Sequence, residues 1–252
     1  MATYIGTSGW CYKEWRGSFY PEGFASKKML RYYATEFDAV EVNNSFYRMP
    51  SEAVLAGWSE QVPETFRFVV KASRRITHTQ RLRDEDGSLS SFLQRINALG
   101  PRLGPTLFQL PPTFTADIPR LHAFLERLPR RWPAALEFRH PSWFVNEVYE
   151  LLRRHNVPLV AVDSEDDEEG GAPLVPTATW GYLRLRRIDY SLPDLELWAN
   201  RIRQQQWTEA YVFLKHKEGS PAGPAAARGL KTVFASSKGD EDHDSSEVPA
   251  LP

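Results

Sequence analysis

Four ionisable side chains stand at the ends of short apolar stretches, where they could take part in catalysis. Glu41 and Glu137 form a pair of carboxylates that could exchange protons with a substrate, one of them kept protonated by burial. The same pair could serve glycoside hydrolysis, in which two carboxylates flank the cleaved bond. Lys71 could form a Schiff base or bind a phosphate, and Asp163 could orient a base or hold a divalent ion. We therefore predict these four residues as catalytic.

Cationic and aromatic residues near the same stretches predict a ligand with an anionic group and a flat or sugar-like part. Arginine forks bind phosphate or carboxylate through two hydrogen bonds, and aromatic faces stack on bases or sugars. Arg139, Arg184 and Lys71 would hold the anion. The residues expected to bind the ligand are Ser8, Trp10, Asn43, Tyr47, Gln109, Arg139, His140, Trp143, Arg184, Lys215 and His216. An alternative interpretation is an ion-pair network of the two glutamates with Lys71 and Arg184 that only fills the interior.

Eight apolar stretches, most of them separated by segments of helical periodicity, must position these side chains. They are Tyr4–Trp10, Ala39–Tyr47, Arg67–Ser73, Pro105–Leu110, Ala134–Arg139, Pro158–Asp163, Trp180–Arg186 and Ala210–His216. Strands that alternate with helices indicate a parallel sheet, and eight such units in about 250 residues fit one (β/α)8 TIM barrel. In that fold the carboxyl ends of the strands meet at the active site.

The domain is expected to span residues 1–235. The acidic, Gly- and Pro-rich segment after the sixth strand predicts that one crossover helix is missing or reduced, and residues 165–179 could cover the site. A last helix is expected near Ala225–Phe234. Residues 236–252 are polar, acidic and without periodicity, which predicts a disordered tail.

The histidine and cysteine content argues against a closed zinc site. The sequence has six histidines and one cysteine, and it contains no HxH, HExxH or CxxC motif. A divalent metal such as Mg²⁺, held by Glu41, Glu137 or Asp163 together with water, stays open as a cofactor. Cys11 has no basic neighbour in sequence, so packing is the simpler interpretation of this residue.

Composition is that of an ordinary globular protein. The 252 residues are 42% hydrophobic and 25% charged, and the net charge is −1, so nucleic-acid binding would need a local basic patch. A single cysteine is typical of a reducing cytoplasm. We expect no membrane association, because the sequence has no long apolar run, and we see no signal peptide. The oligomeric state is not indicated.

Seven motifs resemble the domain-of-unknown-function 72 family, the YecE-like proteins. They are GTSGW at 6–10, WRGSFYP at 15–21, EVNNSFYRMPS at 41–51, FVVKAS at 68–73, FQLPP at 108–112, EFRHPSW at 137–143 and YLRLRR…YS at 182–191. The resemblance runs from Tyr4 to about Phe234 and implies a TIM barrel. It also implies a site at the motif residues Ser8, Trp10, Glu41, Asn43, Lys71, Gln109, Glu137, Arg139, His140, Trp143, Asp163 and Arg184.

The family's barrel is similar to those of endonuclease IV-type and sugar-isomerase-type proteins, and DNA binding has been suggested on that ground. The multi-histidine metal cage of those enzymes is not visible in this sequence. Many relatives have a His-Gly-Arg segment after the seventh strand, where this chain has Leu185–Arg186–Arg187. The eighth strand ends in LKHKEG instead of an asparagine pair, so His216 could be a substitute.

Together these observations predict a cytoplasmic TIM-barrel enzyme, a hydrolase or an isomerase, that acts on a phosphate-bearing ligand by carboxylate acid/base chemistry. The ligand would be a nucleic acid or a small phosphorylated molecule such as a sugar phosphate. A non-catalytic protein that binds nucleic acid or a metabolite at the same place is the first alternative. A glycosidase-like hydrolase is the second.

Overall fold

Eight parallel strands form the centre of the protein. The computed structural model describes residues 1–165, 171–215 and 222–241. The strands are β1 (Ala2–Thr7), β2 (Ala39–Val42), β3 (Arg67–Lys71), β4 (Leu103–Gln109), β5 (Ala134–Glu137), β6 (Ala161–Asp163), β7 (Trp180–Leu185) and β8 (Glu209–Leu214). Each lies in or overlaps one of the predicted stretches. They pair as two four-stranded sheets, in the orders β1-β8-β7-β6 and β2-β3-β4-β5.

The two sheets meet at two seams, each marked by an isolated parallel bridge. Ser8 bridges to Glu41 at the first seam, and Leu136 bridges to Leu159 at the second. The predicted α/β fold with parallel strands is therefore confirmed, whereas the strands pair as two sheets and not as one continuous barrel sheet. At the first seam the backbone N–H of Asp38 donates to the carbonyl of Ile5 at 3.3 Å.

Seven α-helices lie in the described part of the chain, and they connect and cover the strands. They are α1 (Ser26–Glu36), α2 (Glu52–Ser59), α3 (Ser88–Ile96), α4 (Ile118–Arg127), α5 (Asn146–His155), α6 (Leu192–Arg203) and α7 (Ala222–Glu241). Three of them begin at side-chain caps that the sequence indicates. Ser51 accepts from the backbone of Val54, Asp117 accepts from Arg120, and Ser191 forms a capping box that opens α6. Among the described residues, no helix is long and apolar enough to cross a bilayer.

Two predicted elements differ in extent from the observed ones, namely the second strand and a helix that the amphipathic stretch Ser88–Leu103 predicts. The strand expected over Ala39–Tyr47 ends at Val42, because Asn43 adopts helical dihedrals and leads into a 3₁₀ turn at Asn44–Phe46. The helix expected over Ser88–Leu103 ends at Ile96. A 3₁₀ segment with Gly100 at φ 56° and Pro101 follows it, and neither residue continues an α-helix.

The connections after β6 and β8 match the predictions in part. No helix occurs in the described residues between β6 and β7, namely 164–165 and 171–179, as the acidic segment predicts. Helix α7 runs to Glu241, beyond the expected tail boundary at residue 235. The rest of the expected tail, residues 242–252, lies outside the described residues.

Alternation along the strands divides the core into two clusters. A large cluster lies between the sheets and the helices. A smaller one lies on the opposite face of the strands and contains Val69, Leu107, Ala135, Tyr182 and Phe213. Side chains on this inner face near the carboxyl ends of the strands are polar or charged. The alternation thus places apolar residues at one level of the interior and ionisable residues at the next.

Gly6 makes the close approach of β1 and β2 possible. A Cβ at this position would lie 1.9 Å from the carbonyl oxygen of Ala39 and 2.9 Å from the hydroxyl of Tyr33. We expect Gly6→Ala to lower the free energy of unfolding by about 3 kcal/mol or more, because backbone atoms must move to relieve the clash. Urea denaturation measures this change.

The matched control is Gly57→Ala in α2, where an added Cβ meets nothing within 4 Å. Alanine favours the helix over glycine by about 0.5–1 kcal/mol, so this variant should equal or exceed the wild type in stability. A Gly6→Ala variant as stable as Gly57→Ala would show that the strands do not approach closely at this seam.

Candidate functional site

Arg184 binds two buried glutamates at once. Its Nη2 donates to Glu41 Oε1 at 2.7 Å, and its Nη1 donates to Glu137 Oε2 at 2.6 Å. All three side chains are buried. Glu41 lies on β2 and Glu137 on β5, the two outer strands of one sheet, whereas Arg184 lies on β7 of the other sheet. One guanidinium therefore joins both sheets at the level of the strand ends.

Glu41 receives hydrogen bonds on both of its oxygens. Ser8 Oγ at 2.9 Å and Asn43 Nδ2 at 3.0 Å donate to Oε1, and the Tyr182 hydroxyl donates to Oε2 at 2.6 Å. Ser8 and Asn43 are both predicted to bind a ligand. In the structure they donate to this buried carboxylate and hold Glu41 in place.

Glu137 is bound by an amide and by further cations. Gln109 Nε2 donates to its Oε1 at 2.6 Å, and Arg139 Nε approaches the same oxygen at 3.4 Å. Arg186 Nη1 lies 4.0 Å from that oxygen. Gln109 in turn accepts from Lys71 Nζ through its Oε1 at 2.7 Å, so the amide connects the lysine to the carboxylate.

Both carboxylates are held in the ionised form. Burial by itself raises the pKa of Glu41, but the charge of Arg184 and its hydrogen-bond donors outweigh burial and hold the pKa below its usual range. Burial opposes ionisation of Glu137 too, and Arg184, Arg186 and Arg139 together lower the pKa of this carboxyl. The surroundings therefore do not support the prediction that burial keeps one of the two glutamates protonated as the acid of an acid/base pair.

Lys71 is the ionisable group of this cluster whose pKa falls near neutrality. Burial removes its hydration, and the neighbouring charge of Arg184 adds to the effect, so that its pKa drops to about 7. The two glutamates offset part of this shift. Nζ also lies 4.3 Å from the centre of the Phe46 ring. Lys71 is thus an amine that can lose its proton close to physiological pH.

His78 is a site residue that sequence analysis missed. It lies in a π-helical turn at Arg75–Thr79, and its ring packs 4.8 Å from that of Phe46. Burial and the charges of Lys71 and Arg139 lower its pKa to about 4, so the imidazole is neutral at pH 7. His78 follows the carboxyl end of β3 by a few residues. This position in the sequence is the signal that could have identified it.

Among the described residues, the cluster contains four cationic side chains and two carboxylates. Lys71, Arg139, Arg184 and Arg186 all act on Glu137, and Glu41 is the second carboxylate. Arg139 makes only the one long contact through Nε within the described part of the chain, and its side chain is 16% exposed. Its terminal nitrogens are therefore available to an anion that enters from solvent.

Asp163 does not lie in the cluster with the other three predicted catalytic residues. Its Oδ2 accepts from Trp198 Nε1 at 2.9 Å and from the Tyr190 hydroxyl at 3.1 Å, and Arg187 lies 3.9 Å away. Val162 belongs to the inner core, so the next side chain along β6 points to the outer face. Asp163 fastens β6 to α6.

The three aromatic residues predicted to line the pocket have different surroundings. Trp143 is buried, stacks on Phe138 at 4.5 Å and donates to the carbonyl of Phe114, so it is a packing residue. Trp10 packs edge-on against Trp58 of α2 at 4.9 Å. Tyr47 is 83% exposed and packs edge-on against Phe46, whose ring contacts Lys71, so a ligand can reach it from solvent.

Two further predicted binding residues, His140 and Lys215, follow strands β5 and β8. His140 Nδ1 accepts from the backbone N–H of Ser142 and caps the 3₁₀ turn Pro141–Trp143, so this ring orders a loop. Lys215 follows β8, and its backbone N–H donates to the carbonyl of Leu185. His216 lies outside the described residues.

A magnesium ion does not fit between the two glutamates. Each carboxylate already accepts from Arg184, and the surrounding excess of cations would repel a divalent ion. Among the described residues, one group has metal-ligand chemistry, and it lies elsewhere. Glu126 Oε1 on α4 is 3.7 Å from Nε2 of His122 and 3.5 Å from Nε2 of His155 on α5.

Removal of the central guanidinium tests the ion-pair network. We expect Arg184→Met to lower the free energy of unfolding at pH 7 by about 3–5 kcal/mol, because two buried carboxylates lose their shared partner. In the wild type, the lowered pKa values add stability above about pH 4.5, and this stability is lost as the pH falls further. In the variant, burial raises both pKa values, so its deficit should shrink between pH 7 and about pH 4.

Arg95→Met is the control, because Arg95 is exposed on α3. It should change stability little at either pH. A deficit of Arg184→Met that stays constant with pH would contradict the assignment of two ionised, arginine-bound glutamates.

Comparisons with known proteins agree with the resemblance of the motifs. The family model described as protein of unknown function DUF72 matches residues 4–249. The UPF0759 protein YecE of Escherichia coli (strain K12) is 32% identical over 238 residues, which cover 84% of this chain and 85% of YecE. The UPF0759 protein YunF of Bacillus subtilis (strain 168) is 30% identical over 263 residues, with 87% and 90% covered.

Solved structures agree as well. The crystal structure of a DUF72 family protein from Thermotoga maritima matches with a TM-score of 0.79 at 27% identity, covering 93% of this chain and 100% of that one. A DUF72 family protein from Enterococcus faecalis shares the fold with a TM-score of 0.72 at 18% identity, covering 92% and 95%. The chain belongs to the DUF72 family.

Proposed function

We propose that this protein is an enzyme that binds a phosphate-bearing molecule at the strand-end cluster and uses Lys71 for proton transfer. The observation that carries this proposal is Arg139, a partly exposed cation with only one long contact among the described residues, beside two carboxylates that already bind Arg184. Four cationic side chains act on Glu137, while Glu41 and Glu137 both bind Arg184. An incoming anion would relieve the repulsion among the cations, and Arg139 would bind it through its terminal nitrogens.

Proton transfer is assigned to Lys71 instead of the glutamates. A general base or acid works best when its pKa is near the working pH, and the pKa of Lys71 is lowered to about 7. Glycosidases need one protonated carboxyl beside one ionised carboxylate. Because the pKa values of both glutamates are lowered, the glycosidase alternative has no support in the electrostatics of this cluster.

The exposed ring of Tyr47 favours a second candidate, the non-catalytic binding of a nucleic acid. Its ring is 83% exposed and packs edge-on against Phe46, which contacts Lys71. A base could stack on such a ring while its phosphate contacts Arg139. A small sugar phosphate would fill the cluster without needing the tyrosine, so the two ligand classes differ in their dependence on Tyr47.

We also infer that the two sheets close into a single eight-stranded barrel. The bridges Ser8–Glu41 and Leu136–Leu159, one at each seam, support this closure. Arg184 supports it further, because it reaches carboxylates on both outer strands of the opposite sheet. The single cysteine, an exposed thiol, agrees with the proposal of a reducing, cytoplasmic location.

Arg139 tests the anion site. We expect inorganic phosphate to raise the melting temperature of the wild type against sodium chloride of equal ionic strength. A phosphate concentration of about 100 times the Kd would stabilise the fold by about 2.7 kcal/mol. Arg139→Ala should abolish the phosphate effect, and Arg139→Lys should keep part of it. Differential scanning fluorimetry measures all of these shifts.

Arg95→Ala, remote on α3, is the control and should respond to phosphate like the wild type. An equal phosphate response in Arg139→Ala would refute the role of Arg139. If phosphate has no effect on any of these proteins, the proposal of a phosphate-binding cluster fails.

Tyr47 separates the two ligand classes. If the ligand is a single-stranded nucleic acid, Tyr47→Ala should weaken the binding of a short oligonucleotide by about 1–3 kcal/mol, and affinity should fall steeply with salt. Fluorescence anisotropy with a labelled oligothymidylate measures both effects. The phosphate-dependent stabilisation should be the same in Tyr47→Ala and the wild type. Oligonucleotide binding that does not depend on Tyr47 would contradict stacking on this ring.

A further inference from the structure

We propose that Lys71 is a nucleophilic amine that forms an imine with an aldehyde or ketone carrying a phosphate group. This inference rests on the proposed function, because Arg139 would bind the phosphate while Lys71 attacks the carbonyl. It adds a substrate class, phosphorylated carbonyl compounds, and a covalent step that proton transfer alone does not require.

The surroundings of Lys71 are those of a desolvated amine held in one position. Nζ donates to Gln109 Oε1 at 2.7 Å and lies 4.3 Å from the centre of the Phe46 ring. Gln109 is itself fixed, because its Nε2 donates to Glu137 at 2.6 Å. Neither glutamate bonds directly to Nζ in the described structure. A weak amide acceptor and an aromatic face hold the amine but stabilise its charged form less than a carboxylate would.

Charged groups on several elements determine how readily Lys71 loses its proton. Those that act on it are Glu41 on β2, Glu137 and Arg139 at the end of β5 and Arg184 on β7, whereas His78 in the π-helical turn is neutral. Burial and the arginines favour the neutral amine, and the glutamates favour the ammonium. With a pKa of about 7, about half of Lys71 is neutral at pH 7, against about one part in 2,500 for an ordinary lysine.

The covalent step balances without any further reactant. The neutral amine adds to the carbonyl carbon, so that a C–N bond forms and the carbonyl oxygen takes up a proton. The oxygen then leaves as water, and the C=N bond forms. Overall, an ammonium and a carbonyl compound give a protonated imine and water, with no change in charge and no oxidant or reductant.

The protonated imine would remain in an environment suited to it. It carries the same positive charge as the ammonium that it replaces, so the balance with Glu41 and Glu137 is kept. The bound phosphate adds negative charge beside Arg139 and reduces the repulsion among the cations. His78 stays neutral because burial and the surrounding cations lower its pKa to about 4, so it does not add another charge.

Borohydride trapping tests the imine with a matched pair of probes, glycolaldehyde phosphate and uncharged glycolaldehyde. Wild-type protein is incubated with each probe at pH 7, reduced with borohydride and digested, and the occupancy of each lysine is measured by peptide mass spectrometry. We expect glycolaldehyde phosphate to label Lys71 at least about tenfold more than Lys28, an exposed lysine on α1 with no comparable environment. Inorganic phosphate should suppress this labelling.

Variants and pH complete the test. Lys71→Arg keeps the positive charge but cannot form an imine, so labelling at this position should vanish while Lys28 is labelled as before. In the wild type, the rate at which uncharged glycolaldehyde labels Lys71 should reach half of its maximum near pH 7. The labelling rate of a lysine in an unstructured model peptide should still rise above pH 9, because the ordinary pKa of lysine is about 10.4. The wild-type measurement decides the question even if Lys71→Arg fails to fold.

The outcomes separate this inference from the proposed function. If phosphate stabilises the fold but Lys71 is labelled no faster than Lys28, the imine is refuted and the anion site stands. If both probes label Lys71 equally and phosphate has no effect on stability or labelling, the amine is reactive but the anion site fails, and with it the phosphorylated substrate class. Preferential, phosphate-suppressed labelling of Lys71 by the phosphorylated probe supports both.

Discussion

The bidentate contact of Arg184 with Glu41 and Glu137 is the interaction on which the rest of the site depends. It joins β2 and β5, the outer strands of one sheet, to β7 of the other. Removing water from three charged groups costs several kcal/mol each, and only good geometry with further hydrogen bonds offsets that cost. Ser8, Asn43 and Tyr182 supply those bonds to Glu41, and Gln109 supplies one to Glu137.

The same contact explains why the carboxylates cannot be the reactive groups while the lysine can. Arg184 binds both glutamates, and its single positive charge offsets only part of their two negative charges. Burial and the charge of Arg184 disfavour a further positive charge at Lys71, which is the cation of this cluster that can most easily lose its proton. Arginine keeps its charge at any physiological pH, so the cluster lowers the pKa of Lys71 instead.

Most of the cluster could be predicted from the sequence, because strand alternation fixes which side chains share a face. Glu41 follows Ala39 at the inner face, Gln109 follows Leu107, and Glu137 follows Ala135. Parallel strands bring their carboxyl ends to one level, so residues far apart in sequence meet there. The same rule, applied to β6, would have excluded Asp163, because Val162 occupies the inner face. The prediction used only the position of Asp163 at a strand end and not the alternation of side chains along β6.

Other features could not be predicted because they depend on loops. Trp10 and Trp143 follow strand ends, but the chain turns after β1 and β5, and their rings pack against Trp58 and Phe138. His78 comes into the cluster through a π-helical turn in a segment whose charged composition predicts only a loop. The proposed closure of the sheets is also not contained in strand spacing, because it would depend on contacts such as Gly6 against Ala39 at a seam.

Anion binding and lysine reactivity are coupled in this arrangement, and the coupling has a definite sign. A bound phosphate adds negative charge near Lys71, which raises the pKa of the amine and favours its ammonium form. By linkage, the ammonium form binds phosphate more tightly than the neutral amine does. Substrate would therefore enter with Lys71 charged, and reaction with the carbonyl would keep that charge as a protonated imine. Because the charge at Lys71 is the same before and after the covalent step, the site should bind the phosphate with similar affinity in both states. The carbonyl carbon would then react while the phosphate group stays bound.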